Sequence, residues 1–210
     1  MYVNDIFYSI QGESSYSGYP CKFIRLAGCN LKCGYCDTKE AQDIKNYKPI
    51  GIDDIIKSAC VSGPAGIRLI EITGGEPMMQ KESLELMDRL IELNYKVLLE
   101  TNGTISLKKV HPNVIKIVDI KCPSSGHSRD FFFENLKYIG RNDEIKFVIG
   151  NKGDYDYAKN FITEYSLGPY NLIFSPVEGA VSHGEIAAKI LNDGLNVRLG
   201  VQLHKILGLK

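Results

Sequence analysis

The 210-residue chain has no excess of either charge and no long apolar run. Twenty-five basic residues balance twenty-five acidic ones, which argues against a general nucleic-acid-binding surface, since such surfaces carry a basic excess. No apolar run approaches the roughly 18 to 20 residues that a membrane span needs. Residues 1–10 carry Asp5 and no basic cluster, unlike a secretory signal. We therefore expect a cytoplasmic protein that binds neither a membrane nor nucleic acid directly.

The sequence also lacks internal repeats, low-complexity tracts and any linker long enough to divide it. A single domain spanning residues 1–210 follows, because the length suits one domain of ordinary size. The six cysteines are unevenly spaced. In a reducing compartment such cysteines are ligands or core residues, and we expect no disulfide framework.

Short segments rich in Ile, Val, Leu and Phe alternate with amphipathic segments. The first kind predicts strands at 21–27, 68–73, 96–101, 114–121, 144–149, 171–175 and 196–202. The second predicts helices at 52–58, 81–93, 155–165 and 184–191, with Ser182 as a possible cap for the last, whereas 124–139 fits neither pattern. The alternation indicates an α/β fold with a parallel sheet. Six or seven strands are too few to close an eight-stranded barrel, so we predict a partial, open TIM-type barrel of about six parallel strands with helices outside.

In such a fold the functional residues gather where the parallel strands end. Cys29 follows the first predicted strand, and the run Gly74-Gly75-Glu76 follows the second. Asn102, Pro123 and Pro176 follow later ones. The sequence therefore predicts a site at the carboxyl ends of the strands.

Three thiols lie within eight residues at Cys29, Cys33 and Cys36. Three converging thiolates repel each other, so a bound metal centre is what makes the arrangement favourable. A structural zinc would need a fourth ligand, and Cys21 and Cys60 lie at awkward spacing for that role. A four-iron cluster on three thiolates instead leaves one iron open to an amine and a carboxylate. A non-catalytic zinc-binding module remains an alternative, and the isolated Cys60 and Cys122 are expected to be small buried apolar residues.

The run AGCNLKCGYCD at residues 27–37 resembles the motif of the radical S-adenosylmethionine (radical SAM) superfamily. It carries the C-x3-C-x2-C spacing, with the aromatic Tyr35 before the third cysteine, and a GGEP turn follows at 74–77. The resemblance implies a [4Fe-4S] cluster on the three cysteines. Its open iron would bind the amino and carboxylate groups of SAM, and one electron would then release a 5′-deoxyadenosyl radical that abstracts hydrogen from the substrate.

Five further motifs narrow the resemblance to one family. YSIQGE at 8–13, GYP at 18–20, FIRLAGC at 23–29, CDT at 36–38 and QLHK at 202–205 are similar to the 7-carboxy-7-deazaguanine synthase family. The similarity implies a carbon–nitrogen lyase that contracts the ring of 6-carboxy-5,6,7,8-tetrahydropterin and releases ammonia, on the route to the 7-deazapurine (queuosine-type) nucleosides of tRNA. It also implies a homodimer and an electron donor such as a flavodoxin or ferredoxin.

The same resemblance implies the roles of individual residues. Segment 1–20 would pack on the core and bind substrate, with Arg25 forking onto the pterin carboxylate and Thr38 holding Mg²⁺. The full substrate set is Ile10, Gln11, Gly12, Glu13, Arg25, Thr73 and His204. The SAM set is Tyr35, Cys36, Asp37, Gly75, Glu76, Asn102, Lys121, Pro123, Ser175, Pro176 and Val177. From the residues alone, Lys121 could equally serve a structural ion pair, and His204 could be a surface histidine.

The alternative within the superfamily is another short radical enzyme, such as an activase that plants a glycyl radical on a partner protein. It would share the cysteine loop, but it reads a peptide and not a charged heterocycle. The SIQGE segment and Arg25 favour the heterocycle. No further cysteine cluster follows Thr38, so a second iron–sulfur cluster is not expected.

Overall fold

The computed structural model describes residues 1–61 and 64–210. Eight strands form one sheet in sequence order. They are β1 (Val3–Ile10), β2 (Pro20–Leu26), β3 (Leu69–Gly74), β4 (Lys96–Thr101), β5 (Ile115–Ile120), β6 (Glu144–Ile149), β7 (Asn171–Pro176) and β8 (Arg198–Leu199). β1 pairs antiparallel with β2, and every later pair is parallel. Within the described residues no ladder joins β1 to β8, so the sheet stays open.

Helices cover one face of this sheet. They are α1 (Ile52–Val61), α2 (Glu82–Glu92), α3 (Lys152–Glu164) and α4 (His183–Asp193). The short α5 (Leu203–Ile206) instead lies against the N-terminal loop, where the Leu203 backbone N–H donates to the Gly12 carbonyl. The region 124–139, which fitted neither pattern, contributes the 3-10 turns Pro123–Ser125 and Phe133–Lys137. The predicted open α/β barrel is confirmed. No helix among the described residues is long and apolar enough to span a bilayer.

Local chemistry sets two of the helix boundaries. Ser182 caps α4 through a reciprocal pair of hydrogen bonds with Glu185, as its position suggested. α3 begins at Lys152, three residues before the predicted start, because the Asn151 side chain accepts a hydrogen bond from the backbone N–H of Asp154.

The strand β1 was not predicted. Asn4 and Asp5 are depleted in strands, and most of its residues are only half-buried, so no clean alternation marks it. It forms because its backbone pairs along most of β2, from Val3 opposite Leu26 to Ile10 opposite Pro20. The predicted N-terminal segment is therefore an integral edge of the sheet up to Ile10, followed by a loop.

The sheet has an apolar core on each face. A large core lies between the strands and the helices, and includes Ile24, Ile72, Leu86, Met87 and Val97. A smaller one fills the interior of the barrel near the amino ends of the strands, with Cys21, Phe23, Leu69, Leu98 and Ile117. Cys122 is fully buried, as expected, and so is Cys21. The expectation for Cys60 is wrong, because Cys60 on α1 is only partly buried.

On three of these strands, the residue two positions after the inner apolar residue is charged. Phe23 is followed by Arg25, Leu98 by Glu100, and Ile117 by Asp119. Because side chains on a strand repeat every second residue, these polar groups point into the barrel above the inner core. Glu100 and Asp119 form the floor of an open cavity, and Arg25 lies at its rim.

Candidate active site

A cavity of about 700 Å³ opens at the carboxyl ends of the strands. Most of the predicted site residues line it. They are Gln11, Gly12, Glu13, Arg25, Cys29, Cys33, Tyr35, Cys36, Asp37, Thr38, Thr73, Gly75, Asn102, Lys121, Ser175, Pro176, Val177 and His204. The fold thus brings the cysteine loop, the N-terminal motif and the ends of five strands to one place.

Three predicted residues do not line this cavity. Ile10 is the last residue of β1 and pairs with Pro20. Pro123 opens a 3-10 turn and is exposed to solvent. Glu76 is completely buried beneath the turn that it belongs to. The structure therefore does not support ligand contacts from their side chains.

The cysteine loop lies between β2 and α1, and its three thiols are free and half-buried. Cys29 Sγ accepts a hydrogen bond from the backbone N–H of Leu31 at 3.4 Å. Burial raises the pKa of the Cys29 and Cys33 thiols, and the positive charge of Lys121 works in the opposite direction. Three thiols beside the partly buried cation Lys121 form a donor set that suits an iron–sulfur cluster, whose ligands are thiolates.

Among the described residues, no three His, Cys, Asp or Glu side chains are grouped so as to hold a metal ion. A tetrahedral zinc site would bring its sulfurs to about 4 Å from each other, since each Zn–S bond is about 2.3 Å. A four-iron cluster is larger and binds each cysteine through a different iron. Three thiols along the wall of one cavity fit the larger group.

The glycine turn after β3 packs directly against the cysteine loop. A Cβ atom on Gly75 would lie 2.3 Å from the carbonyl oxygen of Gly28 and 2.6 Å from that of Ala41. Only glycine permits this approach. The backbone N–H of Glu76 donates to the Gly28 carbonyl at 2.8 Å, which fixes the turn beside Cys29.

Gln11 organises the N-terminal loop from within. Its Oε1 accepts hydrogen bonds from the backbone N–H groups of Glu13 and Ser14, at 2.8 and 2.9 Å. Its Nε2 donates to Glu71 Oε2 at 2.9 Å. Burial, together with the like charge of Glu100, raises the pKa of Glu71 to about 8. At neutral pH Glu71 is therefore mainly a neutral carboxyl group.

The C-terminal segment covers this loop. The backbone N–H of Leu203 donates to the Gly12 carbonyl at 3.0 Å, and Gln202 Nε2 donates to Glu13 Oε1 at 2.8 Å. A Cβ on Gly12 would lie 2.1 Å from His204 Nδ1. The structure thus places His204 against the loop at the cavity, and not on the outer surface.

Arg25 and Thr38 meet at the cavity rim. Arg25 Nη1 donates to Thr38 Oγ1 at 3.0 Å, and Thr38 Oγ1 donates to Asp37 Oδ1 at 3.1 Å. Lys205 lies 3.2 Å from Asp37 and 3.3 Å from Glu178. Although burial works against it, the positive charge of Lys205 keeps the pKa of Asp37 below its usual value.

The deepest polar groups were mostly missed from the sequence. Lys146 on β6 forms ion pairs with Glu13 and Glu100, while Lys121 pairs with Asp119 at 2.7 Å. Lys121 thus takes part in an ion pair and also lines the cavity. The available signal was a charged residue inside an otherwise apolar strand. It occurs in RLIEIT, VIKIVDIK and EIKFVI, and such a residue needs a buried partner or a ligand.

Comparison with known proteins agrees with this arrangement. Residues 23–164 match the Radical SAM superfamily. The 7-carboxy-7-deazaguanine synthase of Koribacter versatilis is 40% identical, over 99% of this chain and 96% of its own length. That of Chlorobaculum tepidum is 39% identical, over 98% and 93%. The crystal structure of QueE from Escherichia coli shares the fold, with a TM-score of 0.80 at 23% identity over 97% of this chain and 94% of that one.

Proposed function

Because the chain belongs to the radical SAM superfamily and, within it, to the 7-carboxy-7-deazaguanine synthase family, we propose that it converts 6-carboxy-5,6,7,8-tetrahydropterin to 7-carboxy-7-deazaguanine with loss of ammonia. In chemical class this is a carbon–nitrogen lyase. The observation that carries the proposal is that the three cysteines, Arg25 and the 11–13 loop line the same cavity. A radical formed beside the three cysteines would therefore be in the same cavity as a substrate held by Arg25 and the 11–13 loop.

Cys29, Cys33 and Cys36 are the residues that would hold the [4Fe-4S] cluster, which supplies the electron for reductive cleavage of SAM. The chain's part is to hold SAM and exclude water. The turn at Gly75 leaves main chain without a side chain beside Cys29. Asn102, Lys121 and Ser175 come from three further strand ends and line the cavity around it.

The polar groups divide between the two ends of a carboxypterin. Arg25 is the cation at the rim and suits the carboxylate, because a guanidinium binds carboxylates through a planar fork. Glu13 lies deeper and suits the N–H groups of the amino-substituted edge. Gln11 fixes the loop backbone, so the main chain at Gly12 and the side chain of Glu13 are held in place before substrate arrives.

Mg²⁺ is proposed at Thr38. A guanidinium next to a divalent cation is repulsive unless an anion lies between them. Arg25 Nη1 donates to Thr38 Oγ1, so this hydrogen bond must open for the hydroxyl to bind the ion, and a substrate carboxylate between Arg25 and the ion would offset their repulsion. Magnesium commonly keeps few protein ligands and completes its shell with water and substrate oxygens. We also propose a homodimer in the cytoplasm and an electron donor of the flavodoxin or ferredoxin type.

The test is turnover by the purified protein after anaerobic cluster reconstitution, with SAM, a strong reductant, Mg²⁺ and the carboxytetrahydropterin. The expected result is the deazapurine chromophore and ammonia, formed without any protein substrate. Cleavage of SAM without a deazapurine would contradict the proposed substrate and leave the radical SAM assignment standing. Zinc in place of iron in the anaerobic protein would indicate a structural metal module instead.

A further inference from the structure

A buried lysine lies at the centre of the cavity floor. The side chain of Lys146 is only 5% exposed, and its Nζ lies 3.2 Å from Glu13 Oε2 and in direct contact with Glu100 Oε1. Asp119 Oδ2 is 4.0 Å away and already binds Lys121 at 2.7 Å. Lys146 is therefore committed chiefly to Glu13 and Glu100, two carboxylates that come from the N-terminal loop and from β4.

The charged surroundings of Lys146 are acidic. β3 contributes Glu71, β4 contributes Glu100, β5 contributes Asp119 and Lys121, and the N-terminal loop contributes Glu13. β7 contributes the uncharged Ser175, and Arg25 on β2 is directed to Thr38 at the rim. Four carboxyl groups thus share two lysines. Without Lys146, three or more carboxyl groups would crowd together, and like charges in a buried site cannot all remain ionised.

The oxygens of Glu13 and Glu100 are held from several sides and still have capacity for a ligand. Glu13 Oε1 accepts from Gln202 at 2.8 Å, and Glu100 Oε2 accepts from Thr73 at 3.0 Å. Each carboxylate has about four acceptor sites in all, and both side chains line the cavity. They can therefore accept further hydrogen bonds from a bound molecule.

We infer that Lys146 is a positioning residue, which holds Glu13 and Glu100 as a pair of ionised acceptors for the amino-substituted edge of the pterin. The inference rests on the proposed function. It adds that Lys146 sets the charge of the site that recognises the pterin. Lys146 acts through the two carboxylates with which it forms ion pairs. Its loss would favour protonation of Glu100, and a protonated carboxyl replaces acceptor capacity with a donor.

The direction of the pH effect follows from Glu100. Burial works to raise the pKa of Glu100, but the charge and hydrogen bond of Lys146 outweigh it and hold the pKa below its usual value. If binding needs the ionised form, affinity is lost as the pH falls through this pKa. Removing Lys146 leaves the Thr73 hydrogen bond and the charge of Lys121 to oppose burial, so the pKa of Glu100 rises and the loss begins at a higher pH.

The test uses 6-carboxypterin, an oxidised and fluorescent analogue, with protein that carries its cluster and with neither SAM nor reductant. Dissociation constants are measured between pH 5 and 9 for the unaltered protein and for Lys146→Met. Lys146→Gln, which keeps donors but not the charge, provides a second variant if the first does not fold. Lys116→Met is the matched control, because Lys116 forms an equally buried ion pair with Asp143 at 2.8 Å and does not line the cavity.

We expect both Lys146 variants to bind at least about tenfold more weakly at pH 7, with the acid limb of the binding curve moved up by about one pH unit or more. The Lys116 variant should keep the unaltered curve, and the titration of the ligand itself is common to all the proteins. A Lys146 variant with an unshifted pH curve would overturn the inference. Failure of the unaltered protein to bind 6-carboxypterin at any pH would instead count against the proposed function.

Discussion

Glu76 and Asn102 lie at the ends of neighbouring strands and are joined by a 2.7 Å hydrogen bond from the Asn102 backbone N–H to Glu76 Oε2. Glu76 Oε1 also accepts from Thr101 Oγ1 and from the backbone N–H of Met78, at 2.8 and 2.9 Å. The Asn102 side chain in turn donates to Asn30, the residue after Cys29, at 3.0 Å. Glu76 of the GGEP turn thus connects the end of β4 to the cysteine loop through Asn102.

Glu76→Gln should therefore damage the site through its framework. The amide would present N–H groups to backbone donors and leave at least one of them unpaired in a fully buried place, at a cost of about 1–3 kcal/mol. We expect a lower melting temperature and at least about tenfold weaker SAM binding, measured by calorimetry. Glu82→Gln, at an exposed position in the first turn of α2, is the control and should change neither. If SAM binding were unchanged in Glu76→Gln, the hydrogen bonds of Glu76 would have no role in the site.

Cys33→Ala should abolish the iron–sulfur centre and all activity. Two remaining thiolates cannot hold a four-iron cluster that depends on three. The measurement is iron and sulfide content with the visible absorbance after anaerobic reconstitution. Cys60→Ala is the matched control, because Cys60 is a half-buried thiol on α1 that does not line the cavity. Equal iron content in the two variants would exclude Cys33 as a ligand.

Arg25→Ala should weaken binding of 6-carboxypterin by about 10- to 100-fold, since hydrogen bonds to charged groups contribute about 1.5–3 kcal/mol. The cluster content should stay normal. Binding of pterin without the carboxylate provides the control within the same variant, and it should change much less than that of 6-carboxypterin. If both ligands lost affinity equally, Arg25 would be serving the fold and not the carboxylate.

The raised pKa of Glu71 predicts an unusual dependence of the free energy of unfolding on pH. Its pKa is raised to about 8 in the folded protein, whereas an unfolded glutamate has a pKa of about 4.3. Between these values the folded state holds a proton that the unfolded state lacks, so this group's contribution falls as the pH rises, by up to about 1.4 kcal/mol per pH unit.

Glu71→Gln removes that titration and keeps an oxygen that can accept from Gln11. Denaturant unfolding of the two proteins between pH 5 and 8 should show the variant gaining stability over the unaltered chain as the pH increases. Groups that do not interact with Glu71 titrate alike in both proteins and cancel in the difference. Parallel stability curves would mean that Glu71 is already ionised in the fold.

The part of the site that the sequence predicts is the part encoded locally. The three cysteines and the glycine turn lie within short stretches whose spacing alone requires a metal centre and a close backbone approach. Their meeting follows from one topological rule, that parallel strands end at the same edge of a sheet. Arg25 and the 11–13 loop became predictable through the resemblance, since alone they read as an ordinary strand residue and a loop.

The buried charges were harder to predict because their meaning depends on register. Glu100 and Lys146 are 46 residues apart, and a single charge in a strand reads equally well as a solvent-facing residue. Only the pairing of Asp119 with Lys146 across β5 and β6, and the return of Glu13 from the N-terminal loop, brings the groups together. Tertiary contacts also decided β1, whose half-buried sequence carries no alternation of its own.

The most direct test of the account is electron paramagnetic resonance of the reduced, anaerobically prepared protein before and after addition of SAM. Three thiolates on one cavity wall predict a reduced four-iron spectrum that changes when SAM occupies the remaining iron. A spectrum that is identical with and without SAM, or a protein that takes up no four-iron centre at all, would contradict it.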